Sequence, residues 1–342
     1  MRKILNSIML SAVVVLGLVA CGNGGSENTS TNANNSGDSN VSQDIYNVRF
    51  AHVGNTESYF HKLAEKWKEL VEENSEGRIE VDIYPGGQLG HDRQLVESLP
   101  TNNIQVVITG GTLPILDTRF SVVDMPYIFT DTEDARSKLG GDLGNALFDL
   151  LPDHKIKGLA WGENGFKNVT NSVRPIHSPD DLKGLKIRVA ENQVHIDSME
   201  ALGVNVVPMP FTELFTALEQ KVVDGQENPV GLIHSSKFQE VQSYLSLTEH
   251  FYNTGALLMS LDFYEGLPDD LQKVVDEASL VARDYQYEII DHDIEESLKK
   301  LEEEGMEIVR EINKEPFIEL TQSVYEKYGD QIGEELLELA RQ

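Results

Sequence analysis

One cysteine, Cys21, occurs in 342 residues, so the chain can close no internal disulfide and build no cysteine-rich metal site. Basic residues are scarce as well: 28 Lys and Arg stand against 57 Asp and Glu, a formal net charge of −29. A surface of that sign repels nucleic acid and anionic lipid headgroups. It also opposes an anionic small molecule, so any site for one must be locally positive. Beyond the first twenty residues no apolar run reaches the ~20 residues that cross a bilayer. Several enzyme signatures are missing too: the chain has no GxSxG elbow, HExxH, Walker loop or GxGxxG after a strand. PGGQLG at 85–90 is glycine-rich but lacks the Lys-Ser/Thr that handles phosphates, which leaves it a strand-to-helix turn. His52, His61 and His91 match no recognised metal-ligand spacing and are expected to be solvated. No enzyme activity, metal or cofactor is expected.

What is present begins at the N-terminus. Arg2 and Lys3 precede an apolar run from Ile8 to Ala20, which ends in Leu18-Val19-Ala20-Cys21. The run is short for a membrane span and has the charge order of a secretory signal. Its end resembles the bacterial lipobox, in which the cysteine is lipidated and becomes the new N-terminus. Residues 1–20 are therefore read as a signal peptide and Cys21 as the lipidation site. In residues 22–44 the only sizeable apolar side chain is Val41. Such a stretch cannot bury enough surface to offset its ordering entropy, so it reads as a flexible tether. The expected location is extracytoplasmic, lipid-anchored to the outer face of the cell membrane.

The chain from Ile45 onward exceeds one comfortable core and suggests two domains. VRFAHV, RIEVDIY and IQVVIT read as strands, separated by a helix over about 58–73 and another ending at Leu99. Phe60, Leu63, Ala64, Trp67, Leu70 and Val71 recur at helical spacing and give the first helix one buried stripe. A second alternating unit starts near Lys155 with KIKGLAW. Ser178-Pro179-Asp180-Asp181 has the form of a helix start. KIRVA and VNVVP read as strands, FTELFTALEQ as a helix, VVDGQENP as a strand end and turn, and ALLMSLDFY as a strand. A long helical pattern without Gly or Pro covers about 269–304. Strand and helix alternating with short connections predict an α/β fold with a mainly parallel sheet, whose ligands bind outside the carboxyl ends of strands.

The most informative segment is LKGLKIRVAENQVHIDSMEALGVNVVPMPFTELFTALEQKVVDGQENP, 182–229. Arg188 sits at the exit of a strand, where a planar five-donor fork on a rigid support suits a carboxylate. The segment closely resembles the solute-binding subunits of TRAP transporters (the DctP-type family). RIEVDIYPGGQLGHDRQLVESL, DMPYIF, NGFKNVTNSVRPI and LPDDLQKVVDEA follow in that family's order, so the resemblance runs from about Val48 to the C-terminus.

The resemblance implies a two-lobe, periplasmic-binding-protein-like (type II-like) α/β fold with hinge crossovers and a long C-terminal helix spanning both lobes. The first lobe would hold 45–164 plus about 254–290, and the second about 165–253 plus 291–342. It further implies that Arg188 grips the ligand carboxylate, that Asn228 hydrogen-bonds the same group, and that Phe211 packs on the ligand body. Lys167 stands where several members carry a second arginine; it is a point charge without the fork. Asn192, beside Glu191, is a possible hydroxyl partner. His52, Glu57 and Asp92 follow strands of the first lobe and are expected to face the cleft. The implied function is a monomeric extracytoplasmic receptor that closes on a small organic acid, a C4-dicarboxylate or a sugar acid such as a hexuronate. It would pass that acid to the TRAP permease, its membrane partner. A binding protein of an ATP-driven importer or of a sensor kinase would share this architecture, and genomic neighbours discriminate between them.

Overall fold

The computed structural model describes residues 44–342; the signal segment, Cys21 and all but the last residue of the tether lie outside them. In chain order the elements begin with β1 (Tyr46–Ala51), α1 (Tyr59–Asn74), β2 (Ile79–Tyr84), α2 (Asp92–Ser98) and β3 (Val106–Thr109). Next come α3 (Thr132–Leu139), α4 (Asp142–Phe148), β4 (Ile156–Asn171), α5 (Pro179–Leu182), β5 (Lys186–Val189), α6 (Gln193–Ala201) and β6 (Asn205–Pro208). They are followed by α7 (Phe211–Glu219), β7 (Gly225–Pro229), α8 (Val230–Ser235), β8 (Tyr244–Ser260) and α9 (Leu261–Gly266). The chain finishes with α10 (Asp269–Glu303), β9 (Glu307–Val309), α11 (Glu315–Ile332) and α12 (Glu334–Arg341).

The described strands form one sheet in the order β2-β1-β3-β8-β4-β7-β5-β6, with β9 on β8. It is mixed rather than mainly parallel. The pairs β1–β2, β1–β3, β5–β6, β5–β7 and β8–β9 are parallel, but β4 runs antiparallel to both β7 and β8, and β3 to β8. The reason is the two long strands. β4 has 16 residues and β8 has 17, and they pair from Ile156–Ser260 to Asn171–Tyr244. β3 pairs with the far part of β8, Ala256 to Met259, while β7 pairs with the far part of β4, Lys167 to Asn171. Each end of this ribbon thus seeds its own half of the sheet. The register slips between Glu163 and Gly165, and Gly165, opposite Asn253, takes φ +102°, a left-handed value that disfavours a side chain.

Both faces of each half are covered, as strands that are apolar on both sides require. On one face of the first half, Phe50, Val106 and Leu257 pack with Leu63 and Trp67 of α1 and Leu271 of α10. On the other face, Ala51, Val107 and Leu258 pack with Leu95, Phe120 and Leu143. In the second half, Val169 and Ile187 meet Met199 and Phe317 in one cluster. Leu245 meets Leu214, Leu218 and Leu298 in the other. Helix α10, 35 residues and therefore ~52 Å long, contributes Leu271 and Val275 to the first half and Leu298 and Leu301 to the second. Midway, Gln286 accepts from the Glu163 amide at 2.9 Å and donates to the Tyr59 carbonyl at 3.1 Å, tying β4 and α1 to the helix.

Three local readings need correction. GQENP is not a turn but the central strand β7, every residue of it buried; its neighbours β4 and β5 override its poor strand propensity. Leu261 to Tyr264 do not continue β8 but open α9. The C-terminal helices do not sit in the second half alone. Phe317 packs there, while Val324, Tyr328, Leu336 and Ala340 pack with Phe120 and Leu143 of the first. Tyr325 donates to the Pro126 carbonyl at 2.7 Å and Lys138 to the Ala340 carbonyl at 2.8 Å, so α11 bridges the halves and α12 packs on the first.

Candidate functional site

A cavity lies between the two halves, and Arg188, Lys167, Asn228, Phe211, Asp92 and Asn253 are among the side chains that line it. Its walls follow from the topology. Gly54 comes just after β1, Asp92 opens the helix after β2, and Gly110 follows β3. Arg188 lies near the end of β5, Phe211 opens the helix after β6, and Asn228 is near the end of β7. The carboxyl ends of parallel strands from both halves therefore converge on one space. A second stretch of the same cleft, reaching His91, Arg93 and Glu191, shares Asp92, Arg188 and Phe211 with it.

Arg188 is 3% exposed. Its Nε and Nη2 both donate to the Met209 carbonyl, at 2.9 and 2.7 Å, and this fixes the plane of the fork. Among the described residues no carboxylate reaches it at ion-pair distance. Burial pushes its pKa down, and Glu227, Asp92 and Glu191 at longer range oppose that shift. A guanidinium stays charged regardless, so the remaining N–H groups form a desolvated cationic fork beside the cavity. The Phe211 ring stands with its centroid 6.0 Å from the guanidinium carbon, within reach of a cation–π contact.

Lys167 also lines the cavity, but it is already paired. Its Nζ lies 3.0 Å from Glu227, and the two side chains are 4% and 0% exposed. The antiparallel register that sets Lys167 opposite Pro229 and Val169 opposite Glu227 brings them together. His195 stands 3.4 Å from the same Nζ and 3.3 Å from Asp124. His250 is 3.8 Å from Glu227, and its pKa is held well below the usual value by burial first, then by Lys167 and His195.

Asn228 donates one amide N–H to Gln226 and keeps the rest of its amide for the cavity. Asp92 accepts from Thr109 at 2.8 Å. Burial raises its pKa, and the Thr109 bond and the Arg188 charge oppose that rise.

The structure therefore brings together Arg188, Asn228, Phe211, Lys167 and Asp92, but not three other residues that the sequence pointed to. Asn192 caps α6, accepting from the His195 amide at 3.2 Å, and donates to the Gly111 carbonyl and to Asp124, both at 2.7 Å. Its amide is committed to holding the chain, and it is not among the lining residues. His52 and His61 are not solvated: they are 0% and 8% exposed and lie 3.1 Å apart. Burial and then His61 push the His52 pKa down to about 3, so it is a neutral interior group behind the wall. Glu57 is exposed and borders a separate groove with Lys62 and Asp293.

Sequence reasoning missed Asn253 and Asn164, which reach the cavity from the middle of the long strands. The Asn253 side-chain oxygen is buried and receives no hydrogen bond from any described residue. No local motif marks these positions, because only the pairing of β4 with β8 places them at the junction of the halves.

Comparison with known proteins agrees with this geometry. The family model for bacterial extracellular solute-binding protein, family 7 (DctP) matches residues 50–331. The C4-dicarboxylate-binding periplasmic protein DctP of Rhodobacter capsulatus is 32% identical over 297 residues, 85% of this chain and 88% of that protein. A TRAP periplasmic solute-binding protein from Polaromonas sp. JS666, bound to D-erythronate, superposes with a TM-score of 0.84 at 33% identity, covering 86% of this chain and 98% of that one. The sugar acid binding protein DctPAm of Advenella mimigardefordensis, in complex with galactonate, gives a TM-score of 0.84 at 35% identity, with 87% and 98% covered. The mixed α/β, two-lobe architecture is shared with these structures. The matching family and neighbours are solute-binding proteins rather than enzymes.

Proposed function

This chain belongs to bacterial extracellular solute-binding protein family 7, as a TRAP-transporter solute-binding protein for small acids, and from that premise we propose that it captures a C4-dicarboxylate or a sugar acid by cleft closure. It then delivers that acid to the TRAP permease, while a lipid on Cys21 keeps it at the outer face of the cell membrane. The observation that carries the reading is Arg188, a buried guanidinium fixed by the Met209 carbonyl and with no carboxylate of the described residues at contact distance. A bidentate carboxylate would satisfy the rest of its fork, and Asn228 would add a donor without adding charge.

The lobes we assign meet where β4 and β8 pass the Gly165–Asn253 register slip, with α10 and α11 bridging them. Closure excludes water, strengthens the ion pair, and draws its free energy from the ligand's preference for the closed form. The reading is tested by a thermal-shift screen of the purified protein against organic acids. An acid at about 100 times its dissociation constant adds about 2.7 kcal/mol of stability. Small-angle scattering with that acid should show a smaller radius of gyration. If no organic acid shifts the melting temperature, the reading fails.

A further inference from the structure

We infer that Asn192 and Asp124 form a latch that holds the cleft closed without touching the ligand, which makes Asn192 a positioning residue for solute capture; the inference rests on the cleft-closure reading above. Asp124 ends the segment 118–124, whose Phe120, Val122 and Val123 pack in the first half with Ala51 and Val107. Asn192 precedes α6, whose Met199 packs in the second half with Val169 and Ile187. The two side chains belong to residues only 2% and 3% exposed. The Asn192 amide nitrogen donates to the Asp124 carboxylate and to the Gly111 carbonyl, both at 2.7 Å, and the His195 ring stands 3.3 Å from the other carboxylate oxygen. The contact borders the stretch of cleft that Gly111 lines from one side and Glu191 from the other. Gly111 takes φ +67°, and a Cβ there would come within 3.3 Å of His195, so the close approach of the two walls suits a glycine.

The donors come from one side only. Among the described residues, Asp124 receives a side-chain hydrogen bond from Asn192 alone, and the ring nearest to it, His195, lies on α6 as well. When the halves part, the carboxylate and the Gly111 carbonyl lose their partner together and return to water. When they close, a charged acceptor and its donor are desolvated as a pair, where no water competes for the bond. The cross-cleft bond from Asn55 to the Ser235 carbonyl, 2.8 Å, is exposed, so water readily replaces it. Neither Asn192 nor Asp124 lines the cavity. The latch therefore favours the closed form by the same amount whichever acid is inside, and it multiplies the affinity for all of them by one factor.

The test is calorimetry and stopped-flow kinetics on the purified protein, Asn192→Ser and Asn192→Asp. The probes are succinate, D-erythronate, D-galactonate and D-galacturonate, with any further acid that the thermal-shift screen returns. Both substitutions keep an oxygen that caps α6; serine is too short to span to Asp124, and aspartate sets a second carboxylate against it. Every acid that the unaltered protein binds should lose affinity by a common factor of at least about tenfold. The loss should lie in faster dissociation with the association rate unchanged, because the acid enters the open form before the latch is made. A smaller loss, a loss confined to one acid, or one carried by slower association overturns the latch and leaves the organic-acid reading standing. If the unaltered protein binds no acid, that reading fails and the latch falls with it. Should Asn192→Asp not fold, Asn192→Ser decides alone.

Discussion

The buried ion pair beside the cavity sets a stability prediction that needs no ligand. Lys167 and Glu227 lie 3.0 Å apart with 4% and 0% of their side chains exposed. Two unit charges at that distance attract by about 5–6 kcal/mol at an effective dielectric of ~20, and desolvation of both ions offsets much of that. Removing one partner leaves the other buried and uncompensated, which typically costs about 3–5 kcal/mol. Glu227→Gln should therefore lose about that much of a total stability on the order of 5–15 kcal/mol. The double variant Lys167→Met/Glu227→Leu should recover most of the loss, because it buries no charge. Lys273 and Glu277 provide the control: they form an exposed pair at 3.6 Å on α10, and Glu277→Gln should cost no more than about 0.5 kcal/mol. Urea unfolding followed through the buried Trp67 and Trp161 reads all three. A Glu227→Gln loss under about 1 kcal/mol, or a double variant worse than the single one, would refute the reasoning.

Gly225→Ala should damage both stability and ligand affinity, since a Cβ there would stand 2.0 Å from the Thr170 carbonyl oxygen and push β7 off β4; a loss beyond about 2 kcal/mol in the same urea assay is expected, and a neutral result would mean the strand pairing is looser than described. The buried histidines make stability fall with acid. His52 is held down to about 3 and His250 well below its ordinary value, so each contributes fully above the unfolded pKa of ~6.5 and loses about 1.4 kcal/mol per pH unit below it. Between pH 7.5 and 5.5 the two together predict a drop of about 2–3 kcal/mol, and a flat profile over that window would contradict their neutral burial. Cys21→Ser should abolish labelling by a fatty-acid analogue without changing ligand affinity; label retained on the variant would exclude lipidation at Cys21.

Much of this site was legible in the sequence, and the limit has a physical cause. Arg188 was read from its place at a strand's exit, where topology sends side chains toward a ligand, while Asn228 and Phe211 came from the family resemblance; all three line the cavity. Helices α1 and α10 were read from their apolar spacing and from the lack of Gly and Pro. What failed depended on distant pairing. Nothing near Lys167 announces Glu227, which is 60 residues away and meets it only through the β4–β7 register. GQENP looks like a turn until two strands flank it. Asn192 carried a readable signal, an asparagine directly before a helix, and its capping role follows from that position. Asn253 had none, because its place is set by the midpoint of a 17-residue strand.

The most direct test of the central claim is calorimetry on Arg188→Ala and Arg188→Lys with the tightest-binding acid from the screen. Truncating one member of a buried, hydrogen-bonded charge pair costs about 2–5 kcal/mol, so Arg188→Ala should weaken binding by roughly 30- to several-thousand-fold. Arg188→Lys should restore only part of that affinity, because it returns the charge without the fork. Binding by Arg188→Ala within about threefold of the unaltered protein would show that the carboxylate is held elsewhere, contradicting the account.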